Sequence, residues 1–221
     1  HAPDMQTQTH ALLGAWLFGR RDSTLMMAGA IAGAAPDVPM FVIVAVLAAQ
    51  GHSGQQIFGH DYFQPWWQHI NGLSHSFPLW GLALMTMLFL QRARPGARWA
   101  TIGVTVAAAG LAHGVVDFLC HREDAHMQFW PLSDWKFASP VSYYDRRHFG
   151  VPVMIGEAVL GLVMAWQLAH WAQRRWSRAL IAIVALPYAA SLVVLAVSTV
   201  RAAIPSDGAA RQAAAPYKLS G

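Results

Sequence analysis

Residues 99–121, WATIGVTVAAAGLAHGVVDFLCH, form a long apolar run with several titratable side chains near its end. At about 1.5 Å per residue, a helix of this length crosses a lipid bilayer. His113 and Asp117 are four residues apart, so both side chains lie on one face of that helix. The stretch therefore predicts a membrane helix in which two polar side chains contact each other or hold one metal ion.

The chain as a whole has the composition of a membrane protein. Of its 221 residues, 55% are hydrophobic and 12% are charged, and the mean hydropathy is +0.33. Several separate apolar runs predict an all-α, polytopic bundle of about six transmembrane helices. The first helix, residues 9–19, is short for a span. The second is broken where Pro36 and Pro39 flank Asp37, because proline interrupts helical hydrogen bonding.

Domain organisation is predicted to be simple. Residues 1–203 form a single helical membrane domain, and residues 204–221, rich in Ala, Pro and Gly, form a flexible C-terminal tail. Residues 1–4 are interpreted as an upstream extension, with Met5 as the natural start. The single cysteine excludes an internal disulfide framework.

Basic residues mark the predicted topology. Eight of the fifteen fall in three short turns between apolar runs: Arg20, Arg21, Arg92, Arg94, Arg98, Arg174, Arg175 and Arg178. The positive-inside rule puts these turns in the cytoplasm and the segments 51–68 and 122–151, expected to be aromatic-rich surface loops, outside. Because the basic residues lie mostly in such turns, they are a topology signal, and no nucleic-acid partner is expected.

On this topology the polar residues of the first, third and fourth helices lie near the outer face and Asp37 lies near the middle of the membrane, which predicts an outward-facing functional site. Imidazole and carboxylate ligands suit zinc, with Mn or Fe as alternatives. The candidate metal ligands are His10, Asp37, His75, His113, Asp117 and His121. Asp124 and His126 are candidates for catalytic proton transfer or a second binding patch.

Structural interpretations of the same residues stay open. His113 and Asp117 could form only a hydrogen bond, Asp37 could cap the half-helix that follows it, and the charges of residues 123–126 could be solvated. Glu157 could anchor a ligand histidine or face water. The remaining histidines have no partner at a recognisable spacing and are expected at the surface: His52, His60, His148 and His170.

The order of short motifs over residues 5–135 resembles the predicted membrane-bound, metal-dependent hydrolases related to the LexA-regulated inner-membrane protein. The motifs are Thr9-His10, Gly33-Ala-Ala-Pro36-Asp37, Gly72-Leu-Ser-His75-Ser76, His113-x-x-x-Asp117 and Trp130-Pro131. The resemblance implies a multi-pass protein of the bacterial inner membrane with a site at His10, Asp37, His75, His113 and Asp117.

Two departures from the family pattern concern individual residues. Pro39 occupies the position of a second aspartate, and His69-Ile-Asn-Gly, with one residue added, replaces a His-Arg-Gly opening. His69 is counted with Asp124 and His126 among the candidate catalytic residues.

These observations favour a metal-dependent hydrolase whose site faces the periplasm and acts on an ester or phosphoester of a lipid or envelope molecule. The depth of the site favours an amphiphilic substrate. The alternative is a non-catalytic subunit of a larger membrane complex, which the abundant tryptophans also suit. A third hypothesis is haem binding by His113 with His10 or His75.

Overall fold

The computed structural model describes residues 7–20, 22–143 and 145–203, and its α- and 3₁₀-helices are the only regular elements in those ranges. The α-helices are α1 (Thr7–Phe18), α2 (Ser23–Ala34), α3 (Val38–Ala49), α4 (Gly54–Gly59), α5 (Pro65–Ser74), α6 (Phe77–Ala93), α7 (Arg98–Cys120), α8 (Gly150–Trp171) and α9 (Arg175–Ala203). The predicted all-α class is confirmed. The interpretations of residues 1–4 and 204–221 fall outside the described residues.

Five described helical stretches are long and apolar enough to cross a membrane. They are Ser23–Ala49, Pro65–Ala93, Arg98–Cys120, Gly150–Trp171 and Arg175–Arg201. With the 12-residue α1, they match the predicted bundle of about six helices with a short first member. Helix α1 packs against α2, α7 and α8, so this short helix runs through protein.

The predicted break in the second span is confirmed. Pro36 lies in a 3₁₀ turn, Ala35–Asp37, between α2 and α3, and Pro39 lies in the first turn of α3. The interpretation of Asp37 as a helix cap is wrong, because its side chain makes no capping hydrogen bond. The break instead leaves this carboxylate free to contact other helices.

The segment 51–68 is more ordered than the predicted surface loop. Ser53 accepts a hydrogen bond from the Gln56 backbone N–H at 3.2 Å and starts α4. Pro65 starts α5, and at the first position of a helix the missing N–H of proline loses no helical hydrogen bond. Trp67 is fully buried, and burying this face of α5 stabilises a helix that the aromatic composition alone did not distinguish from a loop.

Glycines allow α1 and α2 to cross at backbone contact. A Cβ added to Gly14 would meet the Gly29 carbonyl, and one added to Gly29 would meet the Gly14 carbonyl. Gly33 lies in the same way against the His10 carbonyl. This close crossing fixes the first half of α1 beside the break between α2 and α3.

Two of the basic turns meet at one end of the bundle. Arg98 Nη2 lies 3.2 Å from Asp22 Oδ2, which joins the start of α7 to the start of α2. Asp22 also caps α2 by accepting a hydrogen bond from the Thr24 N–H at 2.8 Å. Asp117 lies about 28 Å further along α7 at the helical rise of 1.5 Å per residue, so the polar residues of α7 lie at the other end of the bundle.

Candidate metal centre

The six predicted metal ligands lie together in one buried cluster, and His126 joins them. Each histidine of the cluster lies 2.9–3.9 Å from a carboxylate oxygen of Asp37 or Asp117. The members are His10, Asp37, His75, His113, Asp117, His121 and His126. His113 is 1% exposed and Asp117 is 2% exposed. The cluster therefore lies in a low-dielectric interior, where charge requires a partner.

Four of these residues form what we call the first ligand group: Asp37, His75, His113 and Asp117. One ligand atom from each lies within 4.8 Å of all the others. His113 Nε2 is 2.9 Å from Asp117 Oδ2 and 3.4 Å from Asp37 Oδ1. His75 Nε2 is 3.3 Å and 3.5 Å from the same two oxygens. Three separate parts of the chain thus direct acceptor atoms toward one point.

Backbone carbonyls fix the orientation of both histidines. His113 Nδ1 donates to the Gly33 carbonyl at 2.6 Å, and His75 Nδ1 donates to the Asn71 carbonyl at 2.9 Å. A carbonyl can only accept, so each neutral ring carries its proton on Nδ1 and has a lone pair on Nε2. These two Nε2 atoms are 3.1 Å apart. Two imidazole nitrogens and two carboxylates therefore converge on one point, where a shared proton or a metal ion balances their charge.

The spacing of the group suits a metal ion. Zinc–nitrogen and zinc–oxygen bonds of about 2.0–2.2 Å in a tetrahedron put neighbouring ligand atoms about 3.3–3.5 Å apart. Three of the four nitrogen–oxygen separations in the first ligand group fall in that range. The residues present fit a divalent transition metal by distance, ligand type and orientation.

Thr7 orients the Asp37 carboxylate, a role that the sequence analysis missed. Its hydroxyl donates to Asp37 Oδ2 at 2.6 Å and leaves Oδ1 facing the two histidines. Thr7 and His10 are three residues apart on α1, so they lie on one face of the helix. This spacing is the sequence feature that could have indicated a role for Thr7. The contact to Asp37 spans 30 residues of sequence, so spacing could not reveal its partner.

The second oxygen of Asp117 faces different histidines. Oδ1 lies 3.1 Å from His10 Nε2 and 3.5 Å from His121 Nε2. Asp117, His121 and His126 form the second ligand group, because one ligand atom from each lies within 4.8 Å of the others. His10 contacts Asp117 but is a member of neither group.

The loop after α7 supplies the remaining polar contacts. His121 Nδ1 lies 3.0 Å from Asp124 Oδ2, which also accepts a hydrogen bond from the Tyr143 hydroxyl at 2.8 Å. Burial disfavours a charged His121, but the Asp117 and Asp124 carboxylates outweigh it and raise the pKa of His121 to about 10. Burial, with His75 and His121 nearby, holds the pKa of His126 well below its usual range.

Other predicted residues lie outside the two groups. His69 is exposed and stacks on the Trp130 indole with ring centroids 4.5 Å apart, so its catalytic role stays a prediction. Glu157 accepts the Thr9 hydroxyl at 2.5 Å, and that hydroxyl lies 2.7 Å from the Tyr188 hydroxyl. Glu157 therefore contacts the residue before His10, and the anchoring of a ligand histidine stays a prediction.

Three of the histidines expected at the surface each contact a carboxylate. His52 Nδ1 and His60 Nδ1 lie 2.5 Å and 2.9 Å from the two oxygens of Asp61. His148 Nδ1 lies 2.8 Å from Asp145 Oδ2. Loop and 3₁₀ turns bring these residues together, and helical spacing rules do not apply there.

The geometry does not suit the haem hypothesis. The His10 and His113 rings stack face to face with centroids 3.7 Å apart, and His75 and His113 approach to 3.1 Å. Axial ligands must lie on opposite faces of a porphyrin, and neither pair leaves space for that ring.

Fold and site together define a polytopic helical membrane protein with a buried histidine–aspartate cluster that can hold metal. The chain belongs to the YdjM inner membrane protein family, whose model matches residues 5–201. It is thus a multi-pass protein of the inner membrane. No curated protein and no solved structure matched the chain.

Proposed function

We propose that this protein is a metal-dependent hydrolase whose site lies at the periplasmic side of the inner membrane. The observation that carries the proposal is the first ligand group, in which two oriented imidazoles and two carboxylates converge on one point. Zinc suits this donor set best, with Mn or Fe as alternatives. Such an ion supplies Lewis acidity that polarises an ester or phosphoester oxygen and activates water.

Neighbouring residues keep the ligands in place. Thr7 holds Asp37, and the Gly33 and Asn71 carbonyls hold the two histidines. We assign Asp124 a positioning role, because its carboxylate lies 3.0 Å from His121 Nδ1 and directs Nε2 of that ring toward Asp117. Outer contacts of this kind orient metal ligands and tune their basicity.

A groove beside the cluster supports a lipid substrate. It has a volume of about 260 Å³ and is lined mainly by apolar side chains: Ala35, Pro36, Leu73, Ser74, Leu79, Trp80 and Ala83. Pro36 directly precedes Asp37, and Ser74 directly precedes His75. An acyl chain in this groove would bring the ester or phosphoester of a lipid or envelope molecule close to the first ligand group.

The outward orientation predicts the result of reporter fusions. Fusions after Arg20, Arg94 and Arg175 should report cytoplasm, and fusions in the segments 51–68 and 122–151 should report periplasm. The first two turns are linked by Arg98 and Asp22, so they must give the same answer. A cytoplasmic signal from 122–151 would put the cluster on the wrong side for an envelope substrate.

The hydrolase proposal predicts metal-dependent turnover. Purified protein in detergent should cleave ester or phosphoester reporters, a chelator should stop the reaction, and added zinc should restore it. His113→Ala should reduce the rate at least about 100-fold, because disturbing outer contacts of a ligand already costs about 10–100-fold. The readouts are initial rate and bound metal per chain.

His170→Ala is the matched control, because His170 is exposed on α8 and contacts the Trp166 carbonyl and ring, far from the cluster in sequence. It should retain both rate and metal. Equal rates in wild type and His113→Ala would contradict the proposal. Full metal without turnover of any ester or phosphoester would favour the alternative, a non-catalytic subunit of a membrane complex.

A further inference from the structure

We propose that the cluster holds two metal ions bridged by Asp117, one in each ligand group. This inference rests on the proposed hydrolase function and deepens it. It concerns the second ligand group, which the first ion leaves unexplained: Asp117, His121 and His126.

Asp117 has the geometry of a bridging carboxylate. Its Oδ2 lies 3.3 Å from His75, 2.9 Å from His113 and 3.9 Å from His126, whereas its Oδ1 lies 3.1 Å from His10 and 3.5 Å from His121. Both oxygens thus face imidazoles, and together they contact both ligand groups. The two oxygens of one carboxylate are spaced to serve two ions about 3.5–4 Å apart, the separation in two-metal hydrolytic sites.

His126 is 6% exposed, and one of its ring nitrogens has no hydrogen-bond partner in the part of the chain that the structure describes. Its Nδ1 has no hydrogen bond within the described residues, and its Nε2 lies 3.9 Å from Asp117 Oδ2. That gap is too long for a hydrogen bond, and an ion about 2 Å from both atoms would have a ligand–metal–ligand angle wider than tetrahedral. Stacking on His75, with centroids 4.1 Å apart, holds the ring beside the first ligand group.

His121 is oriented toward the same proposed ion. Its Nδ1 lies 3.0 Å from Asp124 and its Nε2 faces Asp117 Oδ1, which is the carboxylate–histidine–metal arrangement of many metal proteins. Asp124 also adds a third carboxylate near the cluster, after Asp37 and Asp117. Three carboxylates balance most of the charge of two divalent ions in this buried place.

A second ion narrows the substrate class. Paired ions suit in-line displacement at phosphorus, where the attacking and the leaving oxygen both need stabilisation. Among the proposed substrates, the two-ion site therefore favours a phosphoester, such as a lipid headgroup phosphate, over a carboxylic ester.

Metal counting tests the inference directly. Tag-free wild-type protein in detergent, loaded with zinc and desalted, should carry about two ions per chain, as expected of a two-metal site. His126→Ala and His121→Ala should each retain about one. His148→Ala is the control: it removes a histidine from a surface group with Glu123 and Asp145 and should keep both ions.

Manganese gives a second measurement that needs no variant. In wild-type protein loaded with Mn²⁺, a carboxylate bridge should couple the two ions and give an exchange-coupled paramagnetic resonance spectrum. His126→Ala should give the spectrum of an isolated ion.

Distinct outcomes separate the two proposals. One ion per wild-type chain, kept in His126→Ala and lost in His113→Ala, would overturn the second ion and leave the hydrolase proposal standing. Two uncoupled ions would also overturn the bridge. Wild-type protein that binds no metal would overturn both proposals.

Discussion

Replacing Asp117 with asparagine is expected to remove all bound metal and to abolish hydrolysis. Asp117 contacts four histidines at 2.9–3.5 Å and belongs to both ligand groups. Asparagine has the same shape, but it lacks the negative charge and puts an amide donor where a lone pair is needed. Metal affinity should fall by more than about 100-fold, which is the upper end of the loss seen when a residue that hydrogen-bonds to a metal ligand is replaced. Elemental analysis and reporter turnover measure both effects.

Asp61→Asn is the matched control for this substitution. Asp61 is also largely buried and contacts two histidines, at 2.5 Å and 2.9 Å, but it lies outside the cluster. Its variant should keep wild-type metal content and turnover. Asp117→Asn protein that still carried a full metal complement would show that the cluster is held by hydrogen bonds alone.

Gly33→Ala is expected to destabilise the protein and empty the site together. A Cβ at Gly33 would overlap the His10 carbonyl, which is backbone and cannot rotate away. Overpacking typically costs about 1–3 kcal/mol, and a backbone clash belongs at the upper end of that range. The Gly33 carbonyl also accepts a hydrogen bond from His113 Nδ1, so any shift of α2 disturbs the position of this proposed metal ligand. Thermal unfolding in detergent and metal content check the two consequences.

Gly81→Ala controls for the effect of alanine in a helix. Gly81 lies in α6 and a Cβ there would meet nothing within 4 Å. This variant should be neutral or more stable by up to about 1 kcal/mol, because alanine favours helix over glycine. If Gly33→Ala unfolded no earlier than Gly81→Ala, the tight crossing of α1 and α2 would not hold the site together.

Local spacing and composition were enough to predict much of the cluster. His113 and Asp117 are one helical turn apart, and Pro36 and Pro39 mark Asp37 as lying at a break. His10, His75 and His121 followed from their depth near one membrane face. His69 was selected from its position at the opening of a family motif, and the structure places it on the surface against Trp130. Neither motif position nor depth specifies which way a side chain points.

The sequence by itself determined the helical class, the apolar spans, the short first helix and the break at residues 35–37, because apolar length, proline and basic turns act locally. Only the tertiary structure decided how the ligands meet. The Gly33 carbonyl contacts His113 across 80 residues, and Thr7 contacts Asp37 across 30. His126 lies in an irregular loop, whose sequence has no helical periodicity from which its contacts could be predicted. These contacts depend on which helices pack at backbone distance, and that packing is a property of the whole chain.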